Sequence, residues 1–169
     1  KPFFILLITG SISLAYAVTP CSTNYFQQHV DYRIKAKLDI ALNRINATQT
    51  LIYTNNSPDT LSQLHFHLYL NKYEKGAYHY RGRRTRESGS IDLFEIREND
   101  SINFVYIIDH TLLHLPLYEK LLPGDSVKLF FKFAAKLPQA SGRYGYYGDH
   151  YDVGNWYPTP VVYDRDGWH

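Results

Sequence analysis

Ser126-Val127-Lys128-Leu129-Phe130-Phe131-Lys132-Phe133-Ala134-Ala135 decides the fold class. Val127, Leu129, Phe131 and Phe133 recur at every second residue with Lys128, Phe130 and Lys132 between them, and a period of two puts the first set on one face of a β-strand and the second on the other. The same period runs upstream, where Tyr32, Ile34, Ala36, Leu38 and Ile40 alternate with Arg33, Lys35, Lys37 and Asp39, the signature of a strand with one wet face. Residues 47–54 make a second run that stops at Asn55-Asn56-Ser57-Pro58-Asp59, a dense cluster of turn formers, and together the two runs predict a hairpin. A third strand is predicted at Leu64-His65-Phe66-His67-Leu68-Tyr69-Leu70, with Leu64, Phe66, Leu68 and Leu70 on one face and His65, His67 and Tyr69 on the other. Further strands are expected over residues 90–96 and 102–108, and Leu121-Leu122-Pro123-Gly124-Asp125 reads as the turn that feeds the strand at 126–135. No sustained helical period, internal repeat or low-complexity tract is present. The pattern predicts an all-β domain of about seven or eight strands, antiparallel and saddle- or sandwich-like, with two sheets face to face. Leu64, Phe66, Leu68, Val127, Leu129, Phe131 and Phe133 should fill its interior.

The chain of 169 residues fits one domain with a real core. Eighteen Lys and Arg stand against sixteen Asp and Glu, a net charge of +2, which gives no support for nucleic acid or an anionic membrane as a partner. Aromatic residues make up 16% of the chain and suit a pleated, half-buried surface. Cys21 is the only cysteine, so no internal disulfide can form. Lys1, the apolar run 3–14 and Ala15-Tyr16-Ala17 predict a signal peptide over 1–17, followed by a linker over 18–30 and the β domain over 31–169. The apolar run is shorter than the about 20 residues a membrane span needs and is broken by Gly10, Ser11 and Ser13. The expected product is therefore exported, whether periplasmic, secreted or at the cell surface, with no membrane span once the leader is removed. A start at Lys1 without methionine and a stop at His169 in the middle of a pattern lead us to expect a piece of a longer protein.

The constellations that could carry chemistry are weak. His65 and His67 share a strand face, as a pair of metal ligands on one strand would, but no third ligand is evident nearby, and they read as structural or exposed histidines. His110 and His114 have the spacing of the zinc-peptidase helix motif, yet Thr111 stands where that motif needs Glu, and Pro116 argues against a helix. Asp149, Asp152, Asp164 and Asp166 lack the alternating order of a calcium loop. Ser141 before Gly142 has no strand-turn-helix elbow around it. Between residues 73 and 90 the period is lost, and Arg81, Arg83, Arg84 and Arg86 read as a solvated loop, because no aromatic platform is interleaved with them. No catalytic residue and no metal ligand emerges from this inventory.

The end of the chain is different. Leu137-Pro138, Arg143-Tyr144-Gly145, Gly154-Asn155-Trp156-Tyr157-Pro158 and Tyr163-Asp164-Arg165-Asp166-Gly167-Trp168-His169 gather both tryptophans among residues that fix backbone shape, which predicts an ordered wall. Trp156, Tyr157, Val161, Val162 and Trp168 look too apolar to be left wet, and an interdomain surface is expected there.

These segments, taken with Phe66-His67-Leu68-Tyr69-Leu70-Asn71, Leu121 to Ser126, and Phe133 through Pro138, follow one another in an order that resembles the N-terminal domain of aminopeptidase N-like zinc metallopeptidases, particularly a divergent bacterial branch. The likeness covers roughly residues 32–169. It implies a saddle-shaped antiparallel β domain and a following thermolysin-like catalytic domain, missing from this sequence, that holds zinc through His-Glu-x-x-His and a downstream Glu. On that resemblance the chain carries no cofactor itself, its partners are the downstream peptidase domain of the same chain and a peptide substrate, and its role is non-catalytic. In the family a Gln or Glu near the end of the β domain helps hold the substrate's amino group while a zinc-bound water attacks. Asn155-Trp156-Tyr157 stands at the matching place, so Asn155 and Trp156 are the substrate-lining candidates, and the change of residue type puts the anchor itself in question. From the residues alone a second class stays open: a secreted β-sandwich binding module with a tyrosine-rich face and no peptidase attached.

Overall fold

The computed structural model describes residues 25–74, 88–102, 105–140 and 142–169. The expected signal peptide, Cys21, the first part of the expected linker (18–24), the loop holding Arg81, Arg83, Arg84 and Arg86, and Ser141 lie outside the described residues. In chain order the strands are β1 (His29–Asp39), β2 (Arg44–Thr54), β3 (Leu61–His67), β4 (Ser90–Glu98), β5 (Ser101–Ile102), β6 (Ile107–Asp109), β7 (Leu112–Leu121), β8 (Ser126–Lys136), β9 (Tyr144–Tyr147), β10 (His150–Val153), β11 (Thr159–Pro160), β12 (Tyr163–Asp164) and β13 (Gly167–Trp168). A 3-10 turn, Tyr69–Tyr73, follows β3. No described helix is long and apolar enough to cross a membrane.

The larger sheet has the order β1-β2-β8-β4-β5 and the smaller one β11-β3-β7-β6, while β9 with β10 and β12 with β13 form two-stranded ribbons. All of these strand pairings are antiparallel, as the all-β reading expects. β2 shows the cause most plainly: Ile45, Ala47, Gln49, Leu51 and Tyr53 are buried on one face and the residues between them face outward. The β1–β2 hairpin turns at residues 40–43, where the carboxylate of Asp39 accepts the Leu42 amide (3.1 Å) and Asn43 takes a left-handed φ of 46° that asparagine tolerates.

The two sheets meet face to face. Phe66 of β3 sits edge-on to Phe131 of β8 with ring centroids 5.0 Å apart. Leu64, Phe66, Leu68, Val127, Leu129, Phe131 and Phe133, the interior set read from the sequence, are all 3% exposed or less.

Four local expectations are corrected. The third strand ends at His67, and Leu70 is buried from the 3-10 turn instead. Asn71 holds that turn inward: its Nδ2 donates to the His110 carbonyl (3.2 Å) and its Oδ1 accepts the Ile91 amide (2.8 Å). Residues 102–108 are not one strand, since β5 belongs to the larger sheet and β6 to the smaller. β7 is an additional strand; its Pro116 lies opposite Gln63, beside the register slip in β3, where a missing backbone donor is tolerated. Finally, the apolar face of β1 is not core: Tyr32 and Leu38 are 42% and 40% exposed, because β1 is an edge strand.

Candidate functional site

The C-terminal wall is built by strand addition. β11 pairs with the free edge of β3, Thr159 opposite His67 and Pro160 opposite Phe66, and the Val161 amide donates to the His65 carbonyl (2.9 Å). From the other sheet, the wholly buried Gln49 donates from Nε2 to the Pro158 carbonyl (2.9 Å). These bonds draw residues 156–161 across the end of the core. Trp156 then packs against Phe133 (centroids 5.9 Å) and Tyr157 (5.5 Å), and Tyr157 meets Tyr32 edge-on (5.8 Å). Further on, Trp168 lies 4.8 Å from the rings of both His65 and Tyr163.

The wall is thus ordered, but the expectation that its apolar side chains stay uncovered needs correction. Val161 is buried and Trp156, Tyr157 and Trp168 are partly buried against this chain's own rings, while Val162 is 63% exposed. The addition of β11 to β3 turns the segment back onto the core, which a reading of hydropathy does not foresee.

Of the two substrate-lining candidates, Asn155 is exposed, with φ at 45°, and its Nδ2 donates to the Tyr144 hydroxyl (3.3 Å). That leaves the amide oxygen of Asn155 as an acceptor. Trp156 is partly buried, with its ring on Phe133. Neighbours in sequence, they have different partners.

Beside the wall a cleft of about 380 Å³ opens between residues 25–30 and the C-terminal segment, lined by Phe26, Val30, Tyr32, Tyr53, Val161 and Tyr163 among others. Burial, and then Tyr157, push the Tyr32 hydroxyl up to about 12, and burial followed by Tyr163 raises Tyr53 further still. Both phenols therefore stay neutral near pH 7. At the rim Asp164 is held below the usual carboxylate range by the Asp166 amide (2.8 Å) and then by His169 (2.8 Å).

The histidines pair in a way neither expected spacing suggests. His65 stands opposite His114 across β3 and β7, the rings perpendicular with centroids 4.8 Å apart. His65 is buried, its Nδ1 has no hydrogen-bond partner among the described residues, and burial followed by His114 lowers its basicity. His67 stacks on Tyr69 (4.7 Å) instead, and His110 lies in the turn before β7. Among the described residues no three His, Cys, Asp or Glu side chains are grouped to hold a metal ion.

No protein-family model matches the chain, and no curated protein does. Solved structures that it resembles include the M1 zinc metallopeptidase of Deinococcus radiodurans, at 15% identity and a TM-score of 0.44 over 82% of this chain and 25% of that one. A mutant of the Deinococcus radiodurans enzyme bound to the peptide Tyr-Ser-Ala gives 10% identity and a TM-score of 0.45, over 84% of this chain and 27% of that one. The chain spans only 20% to 27% of the length of the metallopeptidase chains it resembles, and the likeness leaves their activity with them.

Proposed function

We propose that this chain is the non-catalytic N-terminal β domain of an exported zinc-dependent aminopeptidase, where it packs on a peptidase domain and walls one side of the cleft in which peptides lose their N-terminal residue. The observation that carries the reading is the wall at residues 143–169, with its characteristic order of Arg-Tyr-Gly, Asn-Trp-Tyr-Pro and Gly-Trp-His, bonded to both sheets through Gln49 and β3. Peptide hydrolysis needs the substrate's amino end fixed relative to the attacking water, and a wall tied at two points supplies a rigid surface for that. The zinc of the peptidase domain would supply the activated water and polarise the scissile carbonyl. This chain's contribution would be the Asn155 amide oxygen, free to accept a hydrogen bond from the terminal ammonium, with Trp156 behind it. Expressed from the whole gene, the protein should bind zinc and hydrolyse an aminoacyl reporter, and Asn155→Ala should raise KM several-fold with little change in kcat. N-terminal sequencing should find Val18 first. A gene with no His-Glu-x-x-His codons in the couple of hundred that follow His169 would end this reading.

A second reading is favoured by one observation: both tryptophans are packed on rings of this chain, so the wall does not need another domain to cover it. In that case the protein is a secreted β-sandwich binding module, and a stop codon directly after His169 in an intact gene would decide for it.

A further inference from the structure

The outward face of the larger sheet concentrates one sign of charge at its middle. The registers place Lys35, Thr48 and Lys132 in one row across β1, β2 and β8, and Lys37 and Asn46 in the next. On β4 the register against β8 slips between Leu93 and Glu95, and at this bulge Phe94 stands 61% exposed. Bulges re-aim side chains, and here the result is an aromatic wall beside the lysines. Lys35, Lys37, Lys132, Asn46, Thr48 and Phe94 thus border a shallow groove of about 350 Å³ whose lining contains no acidic residue. Two acids stand on β4 at the end of these rows: Glu95, opposite Lys132, pairs with Arg97, and Asp92, opposite Ala134, accepts from the Ser90 hydroxyl (3.1 Å). Among the described residues none of the three lysines has an ion-pair partner.

Three lysines bordering one groove give it a positive potential that favours an anion. The occupant's shape follows from the sheet. β2 and β8 are paired on both sides, so across the floor of the groove their backbone groups are taken, and the open edge of β1 lies at its margin. On the groove floor recognition comes from side chains: point charges for carboxylates, an amide and a hydroxyl for hydroxyl groups, and a flat ring for a flat apolar face. We propose that this groove binds an acidic polysaccharide. Uronate carboxylates pair with Lys35, Lys37 and Lys132, ring hydroxyls bond to Asn46 and Thr48, and the C–H face of one sugar rests on Phe94. The proposal is independent of the peptidase reading.

The test is calorimetric titration of the full chain with a short oligogalacturonate, repeated with a neutral oligosaccharide of equal length and an oligoglutamate of equal charge. The uronate should bind, more weakly as salt rises. Lys35→Gln with Lys132→Gln should lower its affinity about tenfold, and Phe94→Ala about fivefold. Oligoglutamate should bind at least about tenfold less tightly, and the neutral sugar not measurably. Both variants alter exposed side chains, and unchanged melting curves would show that they fold. Absence of uronate binding, equal binding of oligoglutamate, or indifference to Phe94→Ala would each overturn the proposal.

Discussion

β8 and β1 are both 11-residue strands of the same sheet with alternating apolar side chains, yet Leu129 and Phe131 are fully buried while Tyr32 and Leu38 remain about two-fifths exposed. β8 has a neighbour on each side and the smaller sheet across its inner face, whereas among the described strands β1 is bonded only to β2. Position in the sheet, more than side-chain chemistry, sets how much each apolar group stabilises. Burial of a whole side chain is worth about 1.5–3 kcal/mol, and an edge strand collects only part of it.

The contrast can be broken at its strong end first. Phe131→Ala should lose about 3–5 kcal/mol by urea unfolding, and Leu38→Ala less than about 1 kcal/mol; equal losses would mean that the edge is covered. Gln49→Ala removes the bond that ties β2 to the wall and leaves the Pro158 carbonyl unpaired, an expected cost of about 1–3 kcal/mol, with faster amide exchange at Val161 as the local sign. His65 probes the smaller sheet. Its basicity is lowered in the fold, so the unfolded chain binds the proton first as pH falls below about 6.5, and stability should drop on the acid side until the folded ring also protonates. His65→Phe should flatten part of that slope, and an unchanged profile would deny the burial. The smallest effect is optical. Tyr32, pushed up to about 12, keeps its neutral form through pH 10, so its stabilising share is present below 10 and lost as pH rises through about 12. Tyr32→Phe should remove one late step from the ultraviolet titration of the folded protein.

How much of this was legible depends on the range of the causes. β2 and β8 declare themselves because alternation is local, and the core set and the turn after Thr54 follow from it. β7 hides although Leu113, Leu115 and Leu117 alternate with His114 and Pro116, because a proline inside the run argues against a paired strand. The His65–His114 pair is invisible in either chain segment, since only the pairing of β3 with β7 creates it. The 3-10 turn is equally non-local, fixed by Asn71 reaching His110 and Ile91. At the wall, two-residue β11 is too short to show any period, so its docking on β3 could not be read. Asn155 and Trp156 came from the resemblance, and the resemblance does not supply their partners, Tyr144 and Phe133.

The place of β8 between β2 and β4 also governs when the molecule can come together. The β1–β2 hairpin closes locally as soon as it is made, but the other edge of β2 and the edge of β4 must wait for residues 126–136 to be synthesised. Such a high contact order slows folding, and until β8 arrives two strand edges offer unpaired backbone groups to any neighbouring chain. A product cut short before Ser126 would therefore leave sticky edges behind, and the last quarter of the chain decides whether the first three-quarters remain in solution.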